Sequence, residues 1–384
     1  MTYRQIALYT FLVVILISTV FISACNAHPC PRVIHVPMDY PTIQEAIDAA
    51  APGYMIIVHE GTYNEALIVN KERLTIIGLG NVILDGTGIK AHYGIHIIAD
   101  HVVIKNFHIV GFTYGWGWGV QISGADHCLL EDLFIEKCNS GINLYRGSDF
   151  NTIQRCEIRG IGGHGISIYG SDLGCTHNII RNNRMIGCAW YMPYGKYHLA
   201  VMPIFSGASY NVIKGNILTG IGVGYGICLW GYTYGREDMP EAENLIKDND
   251  ISGFDTGVYI RGYNPKTGTL NLVTNTFILK NNIKDNRIGV YVEGFDRDVI
   301  GLLRLNNIEG NTEYGAFVDT THGTAVLDAR TNWWGDPTGP YHDSTWLYKG
   351  RPYGPHYGSG DRVSDYVLYD PWLPLSTPTN PADL

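Results

Sequence analysis

One short phrase, Gly-(Ile/Val/Ala)-x-(Ile/Leu/Val), recurs along this chain and sharply limits what it can fold into. It appears as Gly94-Ile-His-Ile, Gly119-Val-Gln-Ile, Gly141-Ile-Asn-Leu and Gly165-Ile-Ser-Ile, then as Gly226-Ile-Cys-Leu, Gly257-Val-Tyr-Ile, Gly289-Val-Tyr-Val and Gly315-Ala-Phe-Val. The successive gaps are 25, 22, 24, 61, 31, 32 and 26 residues. The gap of 61 holds two beats, with His198-Leu-Ala-Val as the hidden one. Units this short cannot enclose a core alone, so they must stack. A second phrase lies between the beats: Asn151-Thr-Ile-Gln-Arg-Cys, Asn178-Ile-Ile-Arg-Asn-Asn, Asn211-Val-Ile-Lys-Gly-Asn and Asn244-Leu-Ile-Lys-Asp-Asn. Short Ile- and Val-rich runs broken by Gly, Asn and Asp read as strands and turns. Each unit has room for three short strands and their bends. The expectation is an all-β chain, a right-handed parallel β-helix of about ten coils spaced ~4.8 Å apart. Asn183, Asn216, Asn249, Asn281 and Asn307 are expected to stack at one bend, their amides pairing with backbone groups the turn leaves open.

Composition agrees with this reading. Glycine makes up 46 of 384 residues, about 12% against a usual ~7%, and charged residues fall to 16% against ~25%. A coiled coil or helical solenoid needs the opposite balance, and the 45% hydrophobic share is too high for disorder. The net charge of −9 provides no basic face for nucleic acid. The eight cysteines have no CxxC pair and no regular spacing, so they read as small buried hydrophobes rather than a disulfide framework.

The N-terminus reads as an address. Arg4 precedes an almost wholly apolar run from Ile6 to Ile22, followed by Ser23-Ala24-Cys25. This is the pattern of an export signal over residues 1–24. Ile22-Ser-Ala-Cys25 resembles a bacterial lipobox, which implies a lipid on Cys25; cleavage after Ala27, or an uncleaved anchor, is the competing reading. The protein is therefore expected outside the cytoplasm: secreted, periplasmic or anchored at the surface. It would touch a membrane only through an N-terminal lipid or anchor.

The segment from Ile34 runs through Pro41-Thr-Ile-Gln-Glu-Ala-Ile-Asp48, Gly61-Thr-Tyr-Asn-Glu65, Leu74-Thr-Ile-Ile-Gly78 and Ile83-Leu-Asp-Gly86. Ile43, Ala46, Ile47 and Ala50 fall on one face of a capping helix, and Thr42 with Glu45 three residues later forms a capping box. These motifs resemble the opening coil of the pectin-lyase-like β-helix superfamily. Asn332-Trp-Trp-Gly335, Gly339-Pro340, Gly360-Asp-Arg-Val-Ser364 and Pro371-Trp-Leu373 resemble the closing segment of exported proteins of that broad group. The resemblance implies a β-helix over 33–335 and a C-terminal capping tail over 336–384. It implies exposure outside the cell, and says little of activity, because this fold hosts lyases, hydrolases, esterases, epimerases and non-enzymes.

Enzyme signatures within that group are incomplete here. Gly163-His-Gly-Ile-Ser-Ile168 resembles a polygalacturonase stretch, but the preceding coil offers Asn139-Ser-Gly-Ile142 and no carboxylate pair, which hydrolysis needs. His164 therefore reads as a turn residue. Gly61-Thr-Tyr63 and Glu65 are shared with pectin methylesterases, whose catalytic Asp-Phe-Ile-Phe-Gly is missing. Asp336-Pro337-Thr338 does not supply the Asp-Pro-His of mannuronan epimerases. His92, His96 and His101 cluster in sequence, but only His96 falls at an outward position, so a metal-related role, like that of the β-helix proteins of nitrous-oxide-reductase maturation, ranks third.

Strand alternation sends the residues two and four beyond each beat glycine outward. Aromatic residues gather there: Tyr145, Tyr169, Trp230, Tyr259 and Tyr291, with Trp118, Trp116, Trp190, Tyr191, Tyr194, Tyr197, Tyr225, Tyr232 and Tyr234 nearby. Such rings suit stacking on sugars, or they simply brace stacked strands. Arg261, Glu293 and Asp319 all lie four beyond a beat glycine, so their attachment points should sit ~5 Å apart. Carboxylates so placed suit a hydrolytic pair or oxygen ligands for Ca²⁺, with Arg261 as base or as neutraliser of a uronate. Asp296 and His322 would complete the rim. A parallel column, Asp255, Arg287 and Glu313, alternates in sign and looks like cross-strand ion pairing. Tyr232 to Glu243 and Tyr263 to Val273 should project from one edge as loops.

The functional expectation is an exported protein that binds or cleaves an acidic polysaccharide. Arg261, Glu293 and Asp319 would be catalytic; Trp118, Tyr145, Tyr169, Trp230, Tyr259, Tyr291 and His322 would bind substrate. Glu293, Asp319 and Asp296 would hold Ca²⁺, and a Ca²⁺-assisted lyase is the favoured reaction. The alternative is a non-catalytic surface or envelope protein.

Overall fold

The computed structural model describes residues 32–170, 173–189, 200–205, 207–231, 241–264, 267–270, 273–296 and 303–378. Cys25, the 1–24 signal and Trp190, Tyr191, Tyr194, Tyr197, Tyr232 and Tyr234 lie outside these residues, as does most of the Tyr232–Glu243 loop. Three parallel ladders wind around one core. Two belong to a 19-stranded sheet and are joined through the long strands Met55–Tyr63 and Thr75–Asp85. The third is a separate ten-stranded sheet running from Leu67–Val69 to Tyr314–Asp319. This is the right-handed parallel β-helix, with the handedness usual for parallel crossovers.

The inward positions of each ladder explain the stack. Ile76, Ile104, Leu130, Ile153, Ile180, Ile213, Ile246 and Ile278 form one column, each fully buried. Burying one such side chain is worth roughly 1.5–3 kcal/mol, so every coil is held by its neighbours. The beat glycines stand where coils come closest. A Cβ at Gly141 would lie 2.2 Å from the Gly165 carbonyl oxygen, and one at Gly289 would lie 2.5 Å from that of Gly315.

The hidden beat differs from the sequence expectation. The strand is Ala200–Phe205, Gly165 N–H donates to the Val201 carbonyl at 2.8 Å, and Ile168 pairs with Ile204. Val201 therefore fills the glycine slot, not His198. The side chains two and four further on are Pro203 and Phe205, which align with Cys228 and Trp230.

Asparagine ladders brace two bends. One runs Asn151, Asn178, Asn211, Asn244; the other runs Asn183, Asn216, Asn249, Asn281, Asn306, Asn332. Each Oδ1 accepts from a backbone N–H of the preceding coil, and most also from that coil's side-chain amide, for example Asn216 to Asn249 at 2.9 and 3.0 Å. Asn306, not Asn307, continues the second ladder; Asn307 turns outward and donates to Asn282 Oδ1 at 2.8 Å. The preceding doublet, Asn281-Asn282, has the same in–out alternation.

A third column escaped the sequence reading. His101, His127, Phe150, His177 and Tyr210 occupy left-handed turn positions, φ 56–60°. Their rings stack at centroid spacings of 4.9, 5.1, 4.9 and 5.1 Å, within 16° of parallel. Three of these rings stand just before a ladder asparagine, as Phe150-Asn151, His177-Asn178 and Tyr210-Asn211. That dipeptide was the available signal.

The helix Ile43–Ala49 closes the N-terminal end, burying Ile43, Ala46 and Ile47. Thr42 Oγ1 accepts from Glu45 N–H at 3.1 Å, while the carboxylate of Glu65, one coil on, accepts from Ile43 and Gln44 N–H at 2.9 Å each. At the other end the tail pairs Val367–Leu368 with Leu327–Asp328. The six described cysteines are buried and unbonded to one another. Burial pushes the thiols of Cys128, Cys138, Cys156, Cys175 and Cys188 up to about 12.

Candidate functional site

The outer face of the ten-stranded sheet carries the side chains singled out above. Its register aligns Trp230, Arg261, Glu293 and Asp319 in one column, and Cys228, Tyr259, Tyr291 and Phe317 in the next. The beat glycines thus do place Arg261, Glu293 and Asp319 on successive coils.

Their chemistry differs along the column. Arg261 Nε lies 2.9 Å from Glu293 Oε1, with side chains only 8% and 10% exposed. The Arg261 guanidinium also sits 5.2 Å over the Trp230 ring. Tyr259 donates its hydroxyl to the same Glu293 oxygen at 2.6 Å. Tyr291 repeats the diagonal one coil on, donating to Asp319 Oδ2. Asp319 Oδ1 accepts from Thr321 N–H at 2.8 Å.

The protonation states follow from these contacts. Burial, then the Glu293 carboxylate, raises the Tyr259 phenol far above its ordinary range. Burial and Asp319 do the same to Tyr291, so both phenols stay neutral and act as donors. Burial pushes the Asp319 carboxyl up, but the hydrogen bonds from Thr321 and Tyr291 outweigh it and leave the group below its usual range. Asp319 is a half-buried carboxylate held ionised.

The aromatic residues divide into sealed and open groups. Phe205, Cys228, Trp230 and Tyr259 form a second apolar cluster outside the main core, with Tyr169, Tyr225 and Tyr291 packed against it. Tyr225 and Tyr259 stack at 4.6 Å, and Tyr259 and Tyr291 meet at 5.4 Å. Tyr291 and Phe317, half-buried, meet at 5.3 Å at the C-terminal end. Tyr145 and Tyr169, also half-buried, stack at 5.4 Å nearer the N-terminal end, with the Arg146 guanidinium 5.8 Å from the Tyr145 ring. Trp118 is buried and its ring lies 6.1 Å from that of His164, itself buried and edge-on to Phe205. His164 stands in the bend before the Ile166–Tyr169 strand, buried between two aromatic rings. His322 stacks on Tyr263 at 4.0 Å beside Asp319, and Asp296 is exposed just after the Ile288–Glu293 strand.

The second charge column is an exposed ion-pair ladder: Arg287 bonds Asp255 at 2.7 and 3.1 Å and also Glu313. As for cations, the donor set around Glu293 suits a guanidinium rather than Ca²⁺, because Arg261 would repel a dication there. Among the described residues no three His, Cys, Asp or Glu side chains gather as a metal site. His92 and His96 both lie against the Tyr93 ring, at 6.1 and 4.6 Å, while His101 stacks on His127.

A protein-family profile described as "Right handed beta helix region" matches residues 66–237. No curated protein sequence matches the chain. Among solved structures, a mannuronic acid specific polysaccharide family 6 lyase from human gut microbiota is 14% identical, with a TM-score of 0.53 over 88% of this chain and 78% of that one. The tailspike protein of E. coli bacteriophage HK620 is 10% identical, with a TM-score of 0.54 over 82% of this chain and 62% of that one. An alginate lyase from Paenibacillus sp. is 16% identical at a TM-score of 0.46, over 88% of this chain and 99% of that one. Among the described residues no helix is long and apolar enough to cross a membrane. At these identities the likeness is one of fold: the chain is a right-handed parallel β-helix.

Proposed function

We propose that this protein binds a polysaccharide along the outer face of its ten-stranded sheet, at the C-terminal end where Tyr291, Phe317 and Asp319 remain open. The observation that carries this reading is the pairing of half-exposed aromatic rings with a carboxylate held ionised by hydrogen bonds from Thr321 and the neighbouring tyrosine. Rings offer apolar faces to sugar C–H groups, while fixed polar groups orient the hydroxyls. Tyr145, Tyr169 and Arg146 form a second contact region further along the same face. The sealed middle, Phe205 to Tyr259, braces the two. A mannuronic acid specific polysaccharide lyase built on this fold makes a carbohydrate ligand the first class to test.

Acidic chains such as polyuronates are the first ligands, tested with and without Ca²⁺. Cleavage by elimination is followed as ultraviolet absorbance of the unsaturated product, and binding as a rise in melting temperature. Binding or product formation that Tyr291→Ala and Asp319→Asn weaken supports the reading. No product and no thermal shift with any glycan supports the second reading, a non-catalytic surface protein. The buried Arg261–Glu293 pair favours that alternative, because each charge already satisfies the other.

A further inference from the structure

The asparagine phrase fixes more than a bend. Its fourth residue is Gln154, Arg181, Lys214 and Lys247 on four successive coils. Ile153, Ile180, Ile213 and Ile246, one residue earlier, are fully buried, so strand alternation turns the fourth residue outward. The register aligns them in a column: Gln154 with Arg181, Arg181 with Lys214 and Lys214 with Lys247. Three cations therefore stand on adjacent strands ~4.8 Å apart. The ends of this column are neutralised, Lys105 by Glu131 and Arg304 by Asp328. The middle is compensated far less. Arg181 Nε donates to the neutral Gln154 amide oxygen at 2.8 Å, and Lys247 Nζ lies 3.7 Å from Asp248. Lys214 is exposed and has no acid partner among the described residues. Like charges directly opposite one another destabilise a sheet, and the net charge of −9 hides this local file of cations. Beside it, two residues earlier on each strand, runs an apolar column from Ile179 through Val212 and Leu245 to Phe277, with Ile179 37% and Phe277 46% exposed.

We infer that the Arg181–Lys214–Lys247 stripe is a second binding surface for an acidic polysaccharide, each coil holding one carboxylate of the chain. A pyranose unit in an extended chain is close in length to the ~4.8 Å strand spacing. A polymer with one acid group per sugar therefore presents its charges at the interval of the cations. Its carboxylates supply the partners that the sheet lacks and relieve the repulsion along the column. Arg181 offers a planar fork and the two lysines act as point charges. Ile179 and Phe277 give the sugar C–H groups an apolar surface alongside. The cations stand in single file, which suits a linear chain better than the plane of a membrane. The asparagine ladder and the buried isoleucine column hold the strands beneath, so the spacing is set before any ligand arrives. This surface lies on the 19-stranded sheet, not on the ten-stranded sheet that carries Tyr291 and Asp319. It rests on the proposed function for the class of ligand alone.

The test measures affinity of the full chain for an immobilised polyuronate at rising salt. It compares wild type, the triple variant Arg181→Gln, Lys214→Gln, Lys247→Gln, and Tyr291→Ala. A polymer is used because three exposed charges hold a short oligomer weakly. Each charge contacted on a single-stranded polyanion adds about 0.7 to the slope of log affinity against log salt. The wild-type slope should therefore be steeper than that of the triple variant by about 2, with at least about tenfold weaker binding by the triple variant at low salt. The triple variant should melt no lower than wild type, because it removes like-charge repulsion. Tyr291→Ala should keep the salt slope. Equal affinity and slope in wild type and triple variant overturn the inference, whatever Tyr291→Ala does. Loss in the triple variant with Tyr291→Ala unchanged keeps the stripe and removes the reading of the ten-stranded face. No retention of wild type, or binding to anionic lipid vesicles as strong as to polyuronate and equally lost in the triple variant, overturns the assignment of the ligand.

Discussion

Glu293→Ala puts the buried ion pair under direct test. The substitution removes the partner of Arg261, whose side chain is 8% exposed. Leaving one member of a buried pair uncompensated costs about 3–5 kcal/mol. It also deprives the Tyr259 hydroxyl of its acceptor at 2.6 Å, worth about 1 kcal/mol or more. The expected loss is therefore ~4–6 kcal/mol, read as a fall in the urea midpoint at unchanged slope. Glu293→Gln keeps an acceptor for Tyr259 and should recover only the smaller share. The double variant Arg261→Met with Glu293→Leu removes both charges at similar volume and should lie near wild type. A loss below about 1 kcal/mol for Glu293→Ala would refute the reasoning, because it would mean that Arg261 reaches water when its partner is gone.

Further expectations concern the bends and the tail. Asn249→Ala strips acceptors from the backbone and side-chain amides of Asn216 and donors to Ile213 O and Asn281, so a loss of ~2–5 kcal/mol is expected by urea unfolding. Asp361 caps a third, shorter ladder, in which Asn286 N–H and Nδ2 donate to Asn311 Oδ1 at 3.1 and 3.0 Å; Asn311 N–H and Nδ2 donate in turn to Asp361 Oδ2 at 3.0 and 2.7 Å, and burial raises that carboxyl to about 6. An acid raised in the folded state binds its proton more tightly there, so this group lowers stability as pH climbs from about 4 to 6. Asp361→Asn should flatten that part of the stability–pH curve. Asp328 behaves oppositely: burial opposes its ionisation, yet Arg330 and Arg304 hold its carboxyl down at about 2. Its stabilisation is present above the ordinary carboxylate range and is lost as pH falls towards 2, a limb that Asp328→Asn should remove.

The glycine beat made the register legible because it has a steric cause: at Gly141 or Gly289 any Cβ would strike the next coil's carbonyl. Where Val201 occupies that slot the signal vanished, and a nearby His198 phrase took its place. The asparagine ladder was legible as a repeated residue, but the Asn306-Asn307 doublet hid which member turned inward. Spacing aligned Arg261 with Glu293 and Asp319, yet it could not tell a solvated column from a buried one. That difference comes from the aromatic cluster around Trp230 and Tyr259, and from tyrosines that reach diagonally to the next coil.

Titration calorimetry with oligouronates, on wild type and Tyr291→Ala, tests the glycan-face reading most directly. Saturable binding that Tyr291→Ala weakens at least about tenfold, ~1.4 kcal/mol, is the predicted result. Equal affinity in the two proteins, or no binding to either, contradicts it.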